Sequence, residues 1–90
     1  MDFEWDSEKA SANESKHGVS FLEASEVFDD DHSSAISDPG HSIEESRYLI
    51  FGVSQGGRHL VVSYPKRGDR IRPISARLMT PRERKAYEQR

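Results

Sequence analysis

Three segments in the second half of the chain have the composition of β-strands, and they constrain the fold more than any other feature. These segments, each rich in Val, Ile, Tyr or Phe, are residues 47–53, 58–64 and 70–76. Turn-forming residues separate them, so an antiparallel meander is the simplest arrangement. Because Pro73 has no N–H to donate, we expect the last strand to lie at a sheet edge there or to carry a bulge.

Helix signals precede these strands. A short strand over residues 3–5 is followed by Asp6, a preferred helix cap, and the helix that it begins should end at Gly18. Ser20 and Glu23 have the spacing of a capping box, in which each side chain binds the backbone of the other residue. A second helix, over about residues 20–28, should therefore follow.

The end of the chain carries a third helix signal. Thr80 and Glu83 form another capping box, and the helix that it starts should run to the carboxyl terminus. Residues 34–37 are a further strand candidate. We therefore predict one α+β domain over residues 1–90: a short amino-terminal strand and two helices, an antiparallel meander and a carboxyl-terminal helix.

The charge of the chain is unevenly distributed. Residues 1–46 carry two lysines and 13 acidic residues, whereas residues 47–90 carry 11 Lys and Arg and three acidic residues. This asymmetry favours a nucleic-acid-binding surface in the second half, or else packing of the two halves against each other. There is no cysteine and no apolar run long enough to span a membrane, so we expect a cytoplasmic protein without disulfides.

Few side chains could carry chemistry. The four histidines are His17, His32, His41 and His59. Their spacing matches no metal-binding motif, so we expect neither a metal nor a cofactor. His17 either caps a helix end or transfers a proton. Glu45 and Arg47, two residues apart, are either a structural ion pair or a base beside a phosphate ligand.

Arginine is concentrated near the end of the chain. Arg70 and Arg72 alternate along a predicted strand, and Arg77 lies beyond them on the opposite parity. The planar guanidinium group donates two parallel hydrogen bonds and stays charged, which suits it to phosphate. A solvated strand face, or pairing with the acidic first half, is the alternative.

Nearly the whole chain resembles the BrnT toxins, in the order in which their motifs occur. The amino-terminal tracts are Phe3-Glu4-Trp5-Asp6, Lys9, Asn13, Lys16-His17-Gly18-Val19-Ser20-Phe21, Glu23-Ala24 and Val27-Phe28-Asp29-Asp30. The later tracts are Asp38, His41-Ser42, Glu45 and Arg47, Gly52, Arg67-Gly68-Asp69-Arg70-Ile71-Arg72, Ile74-Ser75-Ala76-Arg77, Glu83-Arg84 and Tyr87-Glu88. The resemblance implies a RelE-like fold and a ribonuclease toxin of a type II toxin–antitoxin system. It also implies a BrnA-like antitoxin, which neutralises the toxin in a complex with two copies of each protein. Operator DNA would be bound only by this complex.

The resemblance also locates a site for RNA cleavage without a metal. We expect Arg47, Arg72 and Arg77 to stabilise the phosphate, and Lys16 and His17 to transfer protons or contact phosphate. Glu45 would orient these groups or act as the base, and Lys9, Arg70 and Arg72 would bind the RNA. The chain carries Glu14-Ser15 where these toxins commonly have Leu-Arg or Leu-Lys. A catalytically inactive module that only binds its antitoxin or nucleic acid is therefore the alternative.

Overall fold

The strands of the second half form the centre of a mixed sheet in a computed structural model that describes residues 2–38 and 46–89. The strand β3, Arg47–Val53, pairs with β4, His59–Arg67, in an antiparallel register that runs from Arg47 opposite Pro65 to Val53 opposite His59. The turn between them is closed by the Ser54 N–H, which donates to the Arg58 carbonyl at 2.9 Å. The predicted hairpin is confirmed.

The third predicted strand is interrupted. The prediction of one continuous strand over residues 70–76 is wrong, because β5, Arg70–Ile71, and β6, Ser75–Leu78, are separate strands that both pair antiparallel with β4. The break contains Pro73, which has no N–H for the ladder. Pairing resumes where the Ile74 N–H donates to the Ser63 carbonyl at 2.9 Å.

Two further strands complete the sheet within the described residues. The strand β1, Asp2–Phe3, pairs parallel with β5, and β2, Ser34–Ser37, pairs antiparallel with β3. The strand order is β1-β5-β4-β3-β2, with β6 also paired to β4. The α+β fold is confirmed, but β1 makes the sheet mixed rather than purely antiparallel.

Both amino-terminal helices begin at the predicted caps. In α1, Ser7–His17, the Asp6 carboxylate accepts from the Glu8 N–H at 2.7 Å, and Gly18 ends the helix with a φ of 71°. Ser20 caps α2, Phe21–Glu26, which continues into a 3₁₀ turn over residues 27–29. The expected reciprocal contact of this capping box is not formed by Glu23, whose carboxylate turns to Arg58.

The sheet has a helical layer on each face. The face packed against α1 and α2 carries the main core, which consists of Val19, Ala24, Val27, Ile50, Leu60, Val62, Tyr64, Ile71 and Ala76. The helix α3, Pro81–Glu88, begins at the predicted capping box and lies on the other face. The Tyr87 hydroxyl ties α3 to the rest of the domain by donating to Asp30. Within the described ranges, no helix has the length and apolar character that a membrane span requires.

Candidate functional site

A cationic cavity of about 430 Å³ lies where α1 meets the start of β3 and the segment that leads into β6. Its lining residues are Lys9, Ala12, Asn13, Lys16, His17, Arg47, Ile74 and Ser75. Four of the residues that the sequence singled out are therefore brought together: Lys9, Lys16, His17 and Arg47. They come from two elements that are 30 residues apart in sequence, counted from His17 to Arg47.

Helical periodicity explains how α1 supplies three of these side chains. Lys16 follows Lys9 by seven residues and His17 follows it by eight, which is about two helical turns. Residues at such spacings lie on one face of a helix. The face that α1 presents to the cavity is therefore cationic, and it ends in a half-buried imidazole at His17.

Asn13 anchors that face to the sheet. Its side chain is only 7% exposed, and its Nδ2 donates to the Val19 and Ala76 carbonyls, each at 2.9 Å. Its Oδ1 accepts from the Ala76 N–H at 3.1 Å. One amide thus links the outer edge of β6 at Ala76 to the chain that follows α1. Sequence reasoning assigned no role to Asn13 beyond its place in a motif, although a polar residue between Lys9 and Lys16 on one helical face is a usable signal.

The carboxyl-terminal end of α1 is held from a second direction. Arg58 Nη2 donates to the Gly18 carbonyl at 2.9 Å, and the same guanidinium pairs with Glu23, with Nε 2.9 Å from Oε2. The hydrogen bond from Arg58 lowers the pKa of Glu23 against the opposing effect of burial, with a smaller contribution from the Ser54 hydroxyl. The pair keeps both charges at neutral pH and fixes the peptide that follows Gly18.

Arg77 lies near the cavity but outside its lining. It shares a strand face with Ser75, because side chains alternate along β6. Its guanidinium forms a bidentate pair with Glu83, with Nη1 2.8 Å from Oε1 and Nη2 3.1 Å from Oε2. The hydrogen bond from Arg77 is the largest of the effects that lower the pKa of Glu83 to about 2. In this conformation Arg77 links β6 to the first turn of α3.

The remaining predicted site residues lie elsewhere. Arg70 pairs with Glu4, with Nη1 3.1 Å from Oε2, at the β1–β5 edge of the sheet. Arg72 is half-buried directly after β5, and neither arginine lines the cavity. Glu45 lies outside the described residues, so its predicted role stays a prediction.

The charge of the cavity suits a phosphate group. None of the described residues in its lining is a carboxylate, whereas two lysines and one arginine contribute positive charge. Cationic donors of this kind bind phosphate oxygens through charge-assisted hydrogen bonds. The imidazole of His17 beside them offers two ring nitrogens for hydrogen bonds. Among the residues that the structure describes, no cluster of three or more His, Asp or Glu side chains could hold a metal ion.

Comparison with known proteins identifies the family and the fold of the chain. Residues 5–83 match the family model of BrnT, the ribonuclease toxin of a type II toxin–antitoxin system. The crystal structure of the Brucella abortus ribonuclease toxin BrnT superposes with a TM-score of 0.64 at 24% sequence identity. The superposition covers 89% of this chain and 97% of that one, and at this identity it establishes the shared fold. A search of the curated proteins finds no match.

Proposed function

Because the chain belongs to the family of BrnT ribonuclease toxins of type II toxin–antitoxin systems, we propose that it is itself an endoribonuclease that cleaves RNA without a metal ion. The observation that carries this proposal is the convergence of Lys9, Lys16, His17 and Arg47 on one cavity. A phosphodiester seated there would have cationic donors beside it and a titratable imidazole within the same lining.

The proposed reaction is an internal transesterification. The ribose 2′-oxygen loses its proton to a base and attacks the adjacent phosphorus, while the bond from phosphorus to the 5′-oxygen breaks. The departing 5′-oxygen takes a proton from an acid, which leaves a 2′,3′-cyclic phosphate and a 5′-hydroxyl. Such a reaction needs proton transfer and stabilisation of a phosphorane-like transition state, and side chains can supply both.

We assign these roles to the residues of the cavity. Arg47 and Lys16 stabilise the negative charge on the phosphate oxygens, and Lys9, one helical turn before Asn13, binds the neighbouring RNA backbone. His17 is the proton-transfer group, since an imidazole can both accept and donate a proton. Glu45 stays our prediction for the base or for an orienting group.

The three other arginines are proposed to act from outside the cavity. The side chain of Arg70 is 64% exposed, so it can contact RNA backbone while remaining close to Glu4. Arg72 is proposed as a second contact of this kind. Arg77 would reach phosphate only by exchanging its Glu83 partner for an RNA oxygen, so the pair with Glu83 would weaken its contribution.

The family also implies a protein partner, because toxins of type II systems are neutralised by an antitoxin protein. We propose that this partner is BrnA-like, that two copies of each protein assemble, and that only the complex binds operator DNA. The toxin would act in the cytoplasm, where its RNA substrate lies. Binding to an antitoxin would also stabilise a small domain with a thin core.

Induced expression in a bacterial host tests the proposal in the cell. We expect the wild-type chain to arrest growth, the antitoxin encoded with it to restore growth, and His17→Ala to be harmless. Lys85→Ala is the matched control, since it removes one exposed positive charge from α3, away from the cavity. Harmless expression of a folded wild-type chain that still binds its antitoxin would favour the inactive binding module instead.

A further inference from the structure

Two side chains hold the peptides that immediately follow α1. Asn13 Nδ2 reaches the Val19 carbonyl, and Arg58 Nη2 reaches the Gly18 carbonyl, each at 2.9 Å. The φ of 71° at Gly18 turns the chain sharply just before these contacts. Lys16 and His17 directly precede this turn, so the orientation of their side chains depends on how firmly it is held.

Arg58 is itself fixed by its neighbours. Its guanidinium donates through Nε to Glu23 Oε2 at 2.9 Å and through Nη2 to Glu23 Oε1. Glu23 Oε2 also accepts from the Ser54 hydroxyl at 2.8 Å, and Ser54 is only 4% exposed. The end of α1, the first turn of α2 and the β3–β4 turn therefore meet at one ion pair. The side chains of Arg58 and Glu23 are 41% and 21% exposed, so this pair is better shielded from water than the Arg84–Glu88 pair of α3.

Resting on the proposed function, we propose that Arg58 and Glu23 are positioning residues that fix Lys16 and His17 for RNA cleavage without touching the RNA. Arg58 lies outside the lining of the cavity and contacts the end of α1 through the Gly18 carbonyl. A displacement of a reacting group by about 1 Å can slow a reaction on the order of a hundredfold. Loss of the Gly18 contact should therefore lower the rate more than it weakens RNA binding.

The variant Arg58→Gln tests whether the cleavage rate falls more than RNA binding does. Glutamine is too short to reach Gly18 and Glu23 together and carries no charge. We expect kcat for RNA cleavage to fall about tenfold or more while KM changes less than about threefold. Arg84→Gln is the matched control, because Arg84 also pairs with a glutamate, Glu88, but on the exposed surface of α3. That control should retain the wild-type rate.

A double-mutant cycle with His17→Ala separates positioning from general stability. If Arg58 acts through Lys16 and His17, adding Arg58→Gln to His17→Ala should lower the rate by clearly less than the tenfold effect in the wild-type background, because only the effect through Lys16 remains. Arg58→Lys keeps the positive charge but loses the planar guanidinium group, so it should retain more of the cleavage rate than Arg58→Gln. A full additional loss in the His17→Ala background, after correction for the folded fraction, would overturn the positioning role.

Hydrogen exchange gives a measurement that needs no activity. The Gly18 N–H donates to the Glu14 carbonyl at 2.8 Å, and it should exchange about tenfold faster in Arg58→Gln, with no change in Arg84→Gln. Unchanged exchange at Gly18 would overturn the positioning role. A wild-type chain that cleaves no RNA would instead refute the proposed function, so the two failures are read from different experiments.

Discussion

Replacing Asn13 by alanine would remove three hydrogen bonds at once from the junction of α1 and β6. The Val19 and Ala76 carbonyls would lose a donor, and the Ala76 N–H would lose its acceptor. Each intact bond contributes about 1 kcal/mol net, and a buried group left unpaired costs about 1–3 kcal/mol. Water entering from the cavity would satisfy some of these groups. We therefore expect the free energy of unfolding to fall by about 3–5 kcal/mol.

Urea unfolding followed by circular dichroism measures this loss. A small domain has a total stability of about 5–15 kcal/mol, so the variant should lose a large part of it. With a urea dependence of about 1–3 kcal/mol per molar, the midpoint should fall by about 2 M while the slope stays the same. Ser15→Ala, an exposed change on the same helix, is the matched control and should shift the midpoint by less than about 0.5 M. A loss below about 1 kcal/mol for Asn13→Ala would refute this account of how α1 is anchored.

Three further predictions concern the packing of α3 and β3. The lowered pKa of Glu83, about 2 against an ordinary value of 4.5, means that the Arg77 pair stabilises the fold above pH 4.5 and that this stability is lost as the pH falls toward 2. After discounting for the 39% exposure of the Arg77 side chain, the pair contributes about 1–2 kcal/mol. When unfolding is measured over a range of acid pH, the difference in free energy of unfolding between the wild type and Glu83→Gln should shrink below pH 4.5. Gly52→Ala should cost about 1–3 kcal/mol in urea unfolding, because its Cβ would lie 2.7 Å from Val27 Cγ1; Gly56→Ala, with its nearest atom at 3.9 Å, should cost far less. Tyr87→Phe should cost about 1–2 kcal/mol by the same measurement, since it removes a hydrogen bond to the Asp30 carboxylate, and an unchanged stability would contradict that contact.

Local patterns predicted the elements of the fold well. The caps at Asp6 and Thr80 mark true helix starts, because a cap depends only on residues within one helical turn. The break around Pro73 was foreseen as an irregularity, but its extent was not. How far a strand is interrupted depends on what the neighbouring strand can pair with, and that partner is distant in sequence.

The candidate site could be predicted in part, namely where its residues lie close together in sequence. Lys9, Lys16 and His17 share a helical face, so their proximity follows from spacing alone. Placing Arg47 beside them requires the packing of α1 against β6, which no local pattern encodes. The pairing of Arg77 with Glu83 was likewise hidden, since Glu83 already had a local role in the capping box.

Cleavage of a purified RNA in the presence of EDTA tests the central claim most directly. We expect the wild-type chain to cut the RNA and leave a 2′,3′-cyclic phosphate, with Lys85→Ala cutting at the same rate. His17→Ala and Arg47→Ala should each be slower by a factor on the order of 10²–10³, while remaining folded by circular dichroism. Cleavage that EDTA abolishes, or that both cavity variants retain in full, would contradict the claim that this cavity cleaves RNA without a metal.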